Sequence, residues 1–412
     1  MKRSRQGLRV CALLIFLAGA VMAQPTQQPQ QQPAAGPGAG RGAAPPRVVS
    51  PEVSADRRIT FRLRAPGASE VVVNGNWSDG RGLKMTKDAS GVWSVTTPPV
   101  TPEIWQYTFS VDGVSMLDPG NMWVVRDTAP RMNFVLVPGP GTAVFEPAKV
   151  PRGNVSAVWY PSPVTTGDRR MLVYTPPGYE TSKAKYPVLY LFHGGSGHEE
   201  TWTLMGVTDV AMDNLIAQGK VKPMIVVMPN ANWHDAAVPG VPALASVAPA
   251  AAGAAAGAGG QNYDEAAADI VNGEIPYIES HYRTLSGREN RAIAGLSMGG
   301  GIAINVGLKR LDTFAYVGEF SSGMFGGVNG YAAFDIEKIS PGFMKDPAAT
   351  NKKLKALYFS CGTEDPRMPY QTKVVEEWKS KGIALTFKGF AGAHEWRVWR
   401  NSMVDFAPML FK

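Results

Sequence analysis

Long uninterrupted apolar segments after residue 150 restrict the fold of this chain more than any other feature of its sequence. They include YPVLYLFHGG (186–195), PMIVVMPN (223–230) and RAIAGLSM (291–298), and each ends in turn residues. A strand that is apolar on both faces has to be covered on both, which is typical of a parallel sheet between two layers of helices. We therefore predict an α/β domain over 150–412 with a mostly parallel central sheet. Helices are predicted between the strands, at 264–281, 298–310 and 370–381 among others.

Residues 49–140 follow a different pattern. RITFRLRAP, EVVVNGNW, GVWSVTTP, WQYTFSVDG and MNFVLVPG alternate apolar and polar residues and are separated by Gly, Pro, Asp and Asn. Alternation with a period of two, over short segments with turns between them, predicts a small all-β sandwich. We expect two globular parts, with the sandwich preceding the α/β domain.

The first 23 residues have the pattern of a secretory signal peptide. Four basic residues precede the apolar run VCALLIFLAGAV, and the small residues Val21 and Ala23 suit cleavage after Ala23. The run is too short to cross a bilayer easily, so no stable membrane span is expected, and the protein is predicted to be secreted or periplasmic. Residues 24–48, rich in Pro, Gln and Gly, hold almost nothing that can be buried and are predicted to be a linker.

The net charge gives no reason to expect a nucleic-acid partner. The chain has a formal charge of +7, and removing the four basic residues of the predicted signal peptide leaves about +3. Residues 236–260 are a low-complexity Ala/Gly insertion without a charged residue. They follow a predicted strand at the sheet edge where α/β enzymes bind ligands, so both a flap near an active site and a passive loop remain open.

A serine between glycines, in GLSMG (295–299), is the first candidate for chemistry. A short predicted strand precedes it and a predicted helix follows, as in a nucleophile elbow, where a sharp turn exposes the serine hydroxyl. Glycines are needed on either side because a Cβ there would collide with the neighbouring strand or helix. Ser297 is therefore the predicted nucleophile.

A glycine pair at the end of an upstream strand supplies the second element of the site. Gly194 and Gly195 follow LYLFH, where bare backbone N–H groups can face a developing negative charge. Together with the N–H that follows the nucleophile, this predicts an oxyanion hole from Gly195 and Met298, with Gly194 as a further candidate.

The acid and the base are expected to follow a nucleophile of this kind in the order acid, then histidine. TED (363–365) follows the last long predicted strand, and we choose Asp365 as the acid with Glu364 as the fallback. His394 is the predicted base because it alone follows Asp365; the other histidines are His193, His198, His234 and His281. No His/Cys/carboxylate cluster has zinc-like spacing, so neither a metal nor a cofactor is expected.

YPVLYLFHGGSG, AGLSMGG, CGTED and GAHEWRVW, in that order, resemble the esterase D-type α/β-hydrolases over about 150–412. That group includes carbohydrate esterase family 1, with its feruloyl and acetylxylan esterases, and the enterochelin esterases. The resemblance implies Ser297 as nucleophile, Asp365 as acid and His394 as base, with oxyanion donors at Gly195 and Met298. It also implies two-step acyl transfer without a cofactor.

FRLRAPGASEVVVNGNW, GVWSVTTPPV and YTFSVDGVSMLDPGN resemble immunoglobulin-like early-set domains related to family 48 carbohydrate-binding modules. Flat aromatic faces bind the apolar faces of sugars. A sugar-binding role is therefore one hypothesis for the sandwich and a packing or spacer role the other. The candidate sugar contacts are Trp77, Trp105 and Trp123.

Several aromatic residues lie on or near predicted loops of the catalytic face and are candidates for binding an acyl group or a sugar: Trp202, Trp233, Tyr370, Trp396 and Trp399. We expect only one or two of them to touch substrate, since core packing is the commoner fate of tryptophan. The favoured function is a secreted serine esterase acting on feruloylated or acetylated plant polysaccharide such as xylan. The alternatives are a siderophore esterase of the enterochelin type, an acyltransferase, and a non-catalytic carbohydrate-binding protein.

Overall fold

The computed structural model describes residues 47–127, 131–235, 263–322 and 335–412. The predicted signal peptide (1–23), all but the last two residues of the predicted linker (24–48), and the Ala/Gly insertion (236–260) lie outside the described residues. Within these ranges, every helix is too short or too polar to span a lipid bilayer. Residues Val48–Lys412 form one compact unit.

The first ten strands form two antiparallel sheets. One has the order β1-β2-β6-β5; the other has the order β4-β3-β7-β10-β9, with β8 paired to β7. Their bounds are β1 Glu52–Val53, β2 Ile59–Arg64, β3 Val71–Gly75, β4 Leu83–Lys84, β5 Thr86–Lys87, β6 Val92–Thr96, β7 Glu103–Val111, β8 Val114–Met116, β9 Val124–Val125 and β10 Met132–Val137.

The alternating sequence pattern accounts for the sandwich core. Ile59, Phe61 and Leu63 of β2 point inward and are at most 4% exposed, while the residues between them are partly exposed. Because successive side chains point to opposite faces of a strand, this alternation gives the sheet one apolar face, which packs on the other sheet. Phe61 contacts Tyr107 and Phe109 of β7 at ring distances of 4.7 and 6.3 Å.

Eight further strands form a single sheet in the order β11-β12-β14-β13-β15-β16-β17-β18. The pairs β11–β12 and β12–β14 are antiparallel, and all the others are parallel. The bounds are β11 Asn154–Pro161, β12 Asp168–Thr175, β13 Val188–Phe192, β14 Ile225–Pro229, β15 Arg291–Leu296, β16 Tyr316–Phe320, β17 Ala356–Gly362 and β18 Thr386–Phe390.

Helices cover both faces of this sheet. They are α1 Thr201–Leu204, α2 Thr208–Ala217, α3 Tyr263–Asp269, α4 Ile275–His281, α5 Met298–Lys309, α6 Ile336–Ile339, α7 Pro347–Lys353, α8 Met368–Ser380 and α9 Trp396–Phe406. A π-helical turn, Ile270–Glu274, joins α3 to α4. Apolar residues of α3, α4, α5 and α8 pack in one core cluster, and those of α1, α2 and α9 in another. The predicted fold class, an α/β-hydrolase sheet preceded by a small all-β sandwich, is confirmed.

The sandwich shares a core with the face of the eight-stranded sheet that α1, α2 and α9 cover. Ile104, Val125 and Phe134 belong to the same buried cluster as the apolar residues of α2 and α9. Arg400 of α9 is 1% exposed and donates hydrogen bonds to the Met205 and Ile104 carbonyls, both at 2.9 Å. Its guanidinium also meets Glu103 at 3.3 Å. A buried arginine is tolerated only where such acceptors surround it, so this side chain fixes β7 against the helix layer.

Candidate active site

The carboxyl ends of the parallel strands bring the predicted site residues together. Ser297 follows β15, Asp365 lies three residues beyond β17, and His394 lies four residues beyond β18. Parallel strands end at the same edge of a sheet, which is where ligands bind in open α/β folds. Asp365 and His394, which lie 68 and 97 positions after Ser297 in the chain, thus meet Ser297 at one place.

The backbone at Ser297 has the conformation of a sharp strand-to-helix turn, with φ 51° and ψ −117°. Its N–H donates to the Phe320 carbonyl at 2.8 Å. A Cβ built on Gly295 would lie 2.4 Å from the Gly299 carbonyl carbon, and one on Gly299 would lie 2.5 Å from the carbonyl oxygens of Phe192 and His193. The two glycines therefore allow the close approach of strand and helix that the sequence analysis expected.

A chain of two hydrogen bonds joins the three side chains. His394 Nδ1 lies 2.7 Å from Asp365 Oδ2, and His394 Nε2 lies 2.9 Å from Ser297 Oγ. An ionised carboxylate can only accept, so Nδ1 carries the imidazole proton and Nε2 is left to accept from the serine hydroxyl. This is the arrangement in which an imidazole can take the proton from a nucleophilic serine.

Asp365 is held by a second set of donors on its other oxygen. Oδ1 accepts from the backbone N–H of Arg367 at 3.0 Å and from its guanidinium at 3.1 Å. Burial alone would raise the pKa of the Asp365 carboxyl, but the His394 hydrogen bond, the Arg367 N–H and the nearby positive charge outweigh it, and the pKa lies below its usual value. The carboxylate is therefore ionised at neutral pH. Glu364, the fallback acid, is exposed, and its backbone N–H donates to the Gly392 carbonyl at 2.9 Å.

The glycine pair after β13 lies directly beside the serine. A Cβ built on Gly194 would lie 3.4 Å from Ser297 Cβ, whereas one on Gly195 would meet no atom within 4 Å. Met298 is the first residue of α5, and the N–H groups of a first helical turn point out of the helix end, where the helix dipole favours negative charge. The structure thus places Gly194 and Met298 beside Ser297, and Gly195 follows Gly194 with open space where its Cβ would lie.

His193 fixes the orientation of the Gly194–Gly195 peptide. The Ala231 N–H donates to His193 Nε2 at 2.8 Å, so the ring proton is on Nδ1, which donates to the Gly194 carbonyl at 2.7 Å. The Gly197 N–H donates to the same carbonyl at 3.0 Å. Since the peptide unit is planar and trans, the Gly195 N–H points to the side opposite the imidazole. The histidine that the sequence analysis passed over therefore orients a candidate oxyanion donor.

Glu319, at the end of β16, is a fully buried acid that the sequence analysis also missed. Its Oε1 accepts from Gln371 Nε2 at 2.6 Å and from the Ser322 N–H. Burial, with a smaller contribution from the negative charge of Asp365, raises the pKa of the Glu319 carboxyl to about 8, although the hydrogen bonds from Ser322 and Gln371 lower it. A carboxyl that stays neutral at pH 7 adds no second negative charge beside the Asp365–His394 pair.

Three of the tryptophans named as candidates for binding substrate lie in the core instead. Trp202 and Trp396 are each 1% exposed, and Trp233 is 4% exposed. Each indole N–H is used internally, by the Phe192 carbonyl, the Asp127 carboxylate and the Asp269 carboxylate respectively. These contacts leave no face for a ligand, which corrects that hypothesis. Trp399 is also buried, with its ring edge-on to His394 at 4.9 Å, and Tyr370 is half-buried at the start of α8.

Of the three candidate sugar contacts in the sandwich, two are part of its interior. Trp77 is 6% exposed and stacks on Phe61 at 5.9 Å, and Trp105 is 5% exposed with its N–H donated to the Thr101 carbonyl. Trp123 is 66% exposed and follows Met122, which is 94% exposed. The structure therefore corrects the expectation for Trp77 and Trp105 and leaves Trp123 available. The described residues contain no group of three or more His, Cys, Asp and Glu side chains placed to hold a metal ion.

Residues 162–410 match the family model described as "Putative esterase". An endo-1,4-beta-xylanase/feruloyl esterase of Xylanibacter ruminicola is 30% identical over 371 residues, which is 88% of this chain and 46% of that protein. An esterase of Mycobacterium tuberculosis is 32% identical over 155 residues, 36% of this chain and 27% of that protein. The chain thus spans less than half the length of these two curated relatives.

Solved structures share the fold. The enterobactin esterase of Shigella flexneri superposes with a TM-score of 0.57 at 15% identity, covering 85% of this chain and 92% of that one. A CE1 ferulic acid esterase of Anaeromyces mucronatus superposes with a TM-score of 0.50 at 24% identity, covering 65% of this chain and 93% of that one.

The burial of His193 makes the stability of the protein depend on pH. Burial, with the nearby charges of His198 and Arg169, lowers the pKa of His193 to about 4, and outweighs the hydrogen bonds from the protonated ring to Gly194 and Asn230, which raise it. Between pH 6.5 and 4 the unfolded chain binds a proton here that the folded chain does not, so the free energy of unfolding falls with falling pH by about 3 kcal/mol in total.

His193→Gln should remove this part of the pH dependence, as measured by urea unfolding at pH 7, 5.5 and 4.5. The matched control, His281→Gln, changes an exposed histidine, so its free energy of unfolding should depend on pH as in the wild type. Equal slopes for His193→Gln and the wild type would contradict the assignment.

Proposed function

Because the chain belongs to this esterase family, we propose that it is a serine carboxylesterase that hydrolyses feruloyl or acetyl esters on plant polysaccharide such as xylan. The observation that carries the proposal is the hydrogen-bonded series from Ser297 through His394 to Asp365 at the carboxyl edge of the sheet. A serine, an imidazole and a buried carboxylate in this order are the groups needed for nucleophilic acyl transfer.

In the first step Ser297 Oγ attacks the ester carbonyl carbon while His394 Nε2 accepts the hydroxyl proton. Asp365 stabilises the imidazolium that forms, and the N–H groups of Gly195 and Met298, with Gly194 beside them, stabilise the oxyanion. When the tetrahedral intermediate collapses, the bond to the alcohol oxygen breaks and His394 returns the proton to that oxygen. The product is an acyl-Ser297 enzyme and a free alcohol.

In the second step a water molecule takes the place of the alcohol. His394 accepts a proton from the water, whose oxygen attacks the acyl carbon, and the proton then passes to Ser297 Oγ as the acid leaves. The groups that the two steps require are all side chains and backbone N–H groups of this chain, so the proposed reaction uses no cofactor.

The substrate class rests on the relatives. The Xylanibacter ruminicola protein is named for xylanase and feruloyl esterase activities, and the Anaeromyces mucronatus structure is that of a ferulic acid esterase in complex with ferulic acid. Both names concern the same acyl group. They support acylated polysaccharide or oligosaccharide as the substrate proposed here.

Ser297→Ala should lower kcat/KM for methyl ferulate, p-nitrophenyl acetate and acetylated xylan by at least about 10⁴-fold, because the alanine offers no nucleophile. It should also abolish labelling by a fluorophosphonate probe. Ser380→Ala removes an exposed hydroxyl at the end of α8 and is the matched control that keeps both properties. Full labelling or activity in the Ser297→Ala variant would place the nucleophile elsewhere.

The same assays separate the other candidate functions. A siderophore esterase would cleave a catecholate trilactone in preference to methyl ferulate, and the Shigella flexneri enzyme shares the fold over 85% of this chain. An acyltransferase would give an acylated sugar when a sugar acceptor is added, since water and a hydroxyl compete for the same acyl-enzyme. A non-catalytic binding protein would bind xylan without hydrolysing any ester in the panel.

Because a plant polysaccharide lies outside the cell, an enzyme that acts on it has to be exported. We infer it from the basic residues, the apolar run and Ala23 in the first 23 positions. Intact mass spectrometry of protein recovered from the periplasm or medium should show a chain that begins at Gln24. A chain that keeps residues 1–23 and stays in the cytoplasm would contradict the inference.

Trp123 is the candidate through which the sandwich would bind polysaccharide. It lies on a segment that reaches the catalytic edge, because Arg126 meets Glu200 at 3.4 Å and Asp127 accepts from the Trp396 indole at 3.0 Å. Trp123 is four residues from Asp127, or at most about 13 Å along an extended chain. An exposed ring at this position can stack on a sugar of a chain whose ester lies at Ser297.

Trp123→Ala should raise KM for feruloylated xylan about tenfold, because it removes an aromatic contact, and should leave kcat/KM for methyl ferulate unchanged. Val114→Ala, at a 68% exposed apolar residue of β8, is the control within the same sandwich. An unchanged KM for the polymer would exclude Trp123 as a sugar contact.

A further inference from the structure

The loop that carries His394 lies at the outer margin of the sheet. β18, which precedes it, is the last strand in the sheet order, so it has a neighbouring strand on one side only. Its five residues are all partly or fully exposed, whereas β17 is buried throughout and β15 is buried after its first residue. On its inner side the loop is attached to the Asp365 loop, through the hydrogen bond from the Glu364 N–H to the Gly392 carbonyl. Support on the outer side has to come from elsewhere.

Glu395, the residue after His394, makes the connection on the outer side. It is the N-terminal cap residue of α9. Its Oε1 accepts from the Ala393 N–H at 3.2 Å and from the Arg397 guanidinium at 2.7 Å. Its Oε2 accepts from Asn76 Nδ2 at 3.0 Å. The first two bonds are within the loop and α9, so among the hydrogen bonds of Glu395 the bond from Asn76 is the one that reaches the sandwich.

Asn76 is itself held in one orientation by β7. Its backbone N–H donates to the Gln106 carbonyl at 3.0 Å, and its side-chain Oδ1 accepts from the Gln106 N–H at 2.8 Å. Because Oδ1 faces a donor, the amide cannot be flipped, and Nδ2 is the group that faces Glu395. The contact therefore transmits the position of a sandwich strand to the residue next to His394.

We propose that Asn76 is a positioning residue for His394, so that the β-sandwich is part of the esterase machinery and not only a binding module. The proposal rests on the function proposed above. A neutral amide donor orients the loop without adding charge near the imidazole. Displacement of a catalytic group by 1 Å can cost about 10²-fold in rate, so a single hydrogen bond at this place can affect turnover.

The test is a double-substitution cycle on a substrate too small to reach the sandwich, p-nitrophenyl acetate. Asn76→Asp keeps the acceptor for the Gln106 N–H but places a carboxylate against the Glu395 carboxylate. Glu395→Gln keeps the acceptor for Ala393 and Arg397 but places an amide NH₂ against the Asn76 NH₂. Each single variant should lower kcat about tenfold with KM changed by less than about twofold.

In the double variant N76D/E395Q the new amide at position 395 donates to the new carboxylate at position 76, which is the reverse of the wild-type direction. This variant should therefore recover kcat to within about threefold of wild type. Asn74→Asp is the matched control: Asn74 lies on β3, accepts from the Gly82 N–H at 3.0 Å through the oxygen that aspartate keeps, and should show wild-type kcat. Thermal unfolding of all four variants shows whether each is folded. If Asn76→Asp does not fold, Glu395→Gln tests the same contact.

Wild-type kcat in both single variants, or losses that simply add in N76D/E395Q, would overturn the positioning role. A wild-type protein that hydrolyses no ester and takes up no fluorophosphonate would overturn the proposed function instead. The two failures are therefore distinguishable.

Discussion

The backbone conformation of Ser297 is the constraint on which the rest of the site depends. A φ of 51° with a ψ of −117° is rarely adopted by an L-residue, and such a conformation costs about 1–3 kcal/mol. It persists because the surroundings leave no alternative. β15 is buried almost throughout, α5 packs against it through Gly295 and Gly299, and the Ser297 N–H is fixed on the Phe320 carbonyl. The packing energy of a fully covered sheet thus holds the serine hydroxyl at the sheet edge, within reach of His394.

The other site groups follow three different strands, and each is supported differently. His193 and the glycine pair follow the buried β13, where Asn230 and Ala231 of the neighbouring β14 loop contact the imidazole. Asp365 is held by Arg367, two residues along its own loop. His394 follows the edge strand and has the sandwich beside it. β13 and β17 each have a neighbouring strand on both sides, whereas β18 has one on a single side, so the loop that carries His394 depends most on a partner from outside the sheet.

Local rules select Ser297, Asp365 and His394, the proposed nucleophile, acid and base, from the sequence. Gly295, Ser297 and Gly299 follow from the sterics of one turn, and the chain order of acid and base leaves His394 alone among five histidines. The fold class follows from apolar runs whose length and context are also local. The supporting roles of His193 and Arg367 could also have been predicted from the sequence. His193 is adjacent to Gly194, Arg367 is two residues from Asp365, and both side chains can hydrogen-bond to a neighbouring group.

The burial of Trp202, Trp233 and Trp396 was not predictable in the same way. A tryptophan on a loop can face either solvent or core, and the choice depends on acceptors such as Asp269 and Asp127 that are distant in sequence. Asn76 is an extreme case, because 319 residues separate it from Glu395 and nothing in NGNWSDG distinguishes it from an ordinary turn residue. Side-chain partners across a tertiary contact leave no periodic trace in a single sequence.

Deletion of the sandwich cannot separate its two proposed roles, sugar binding and the positioning of His394. Removal of the sandwich would uncover the apolar residues of α2 and α9 that pack on Ile104, Val125 and Phe134. It would also leave the buried Arg400 without its acceptors on Glu103 and Ile104, which costs several kcal/mol in a comparable buried pair. Loss of activity in a truncated protein would then follow from the damaged helix layer alone. Because Trp123 is exposed and Asn76 lies at the contact with the His394 loop, we expect a substitution of Trp123 to act on binding and a substitution of Asn76 to act on turnover. Both substitutions leave the apolar residues that cover the helix layer in place.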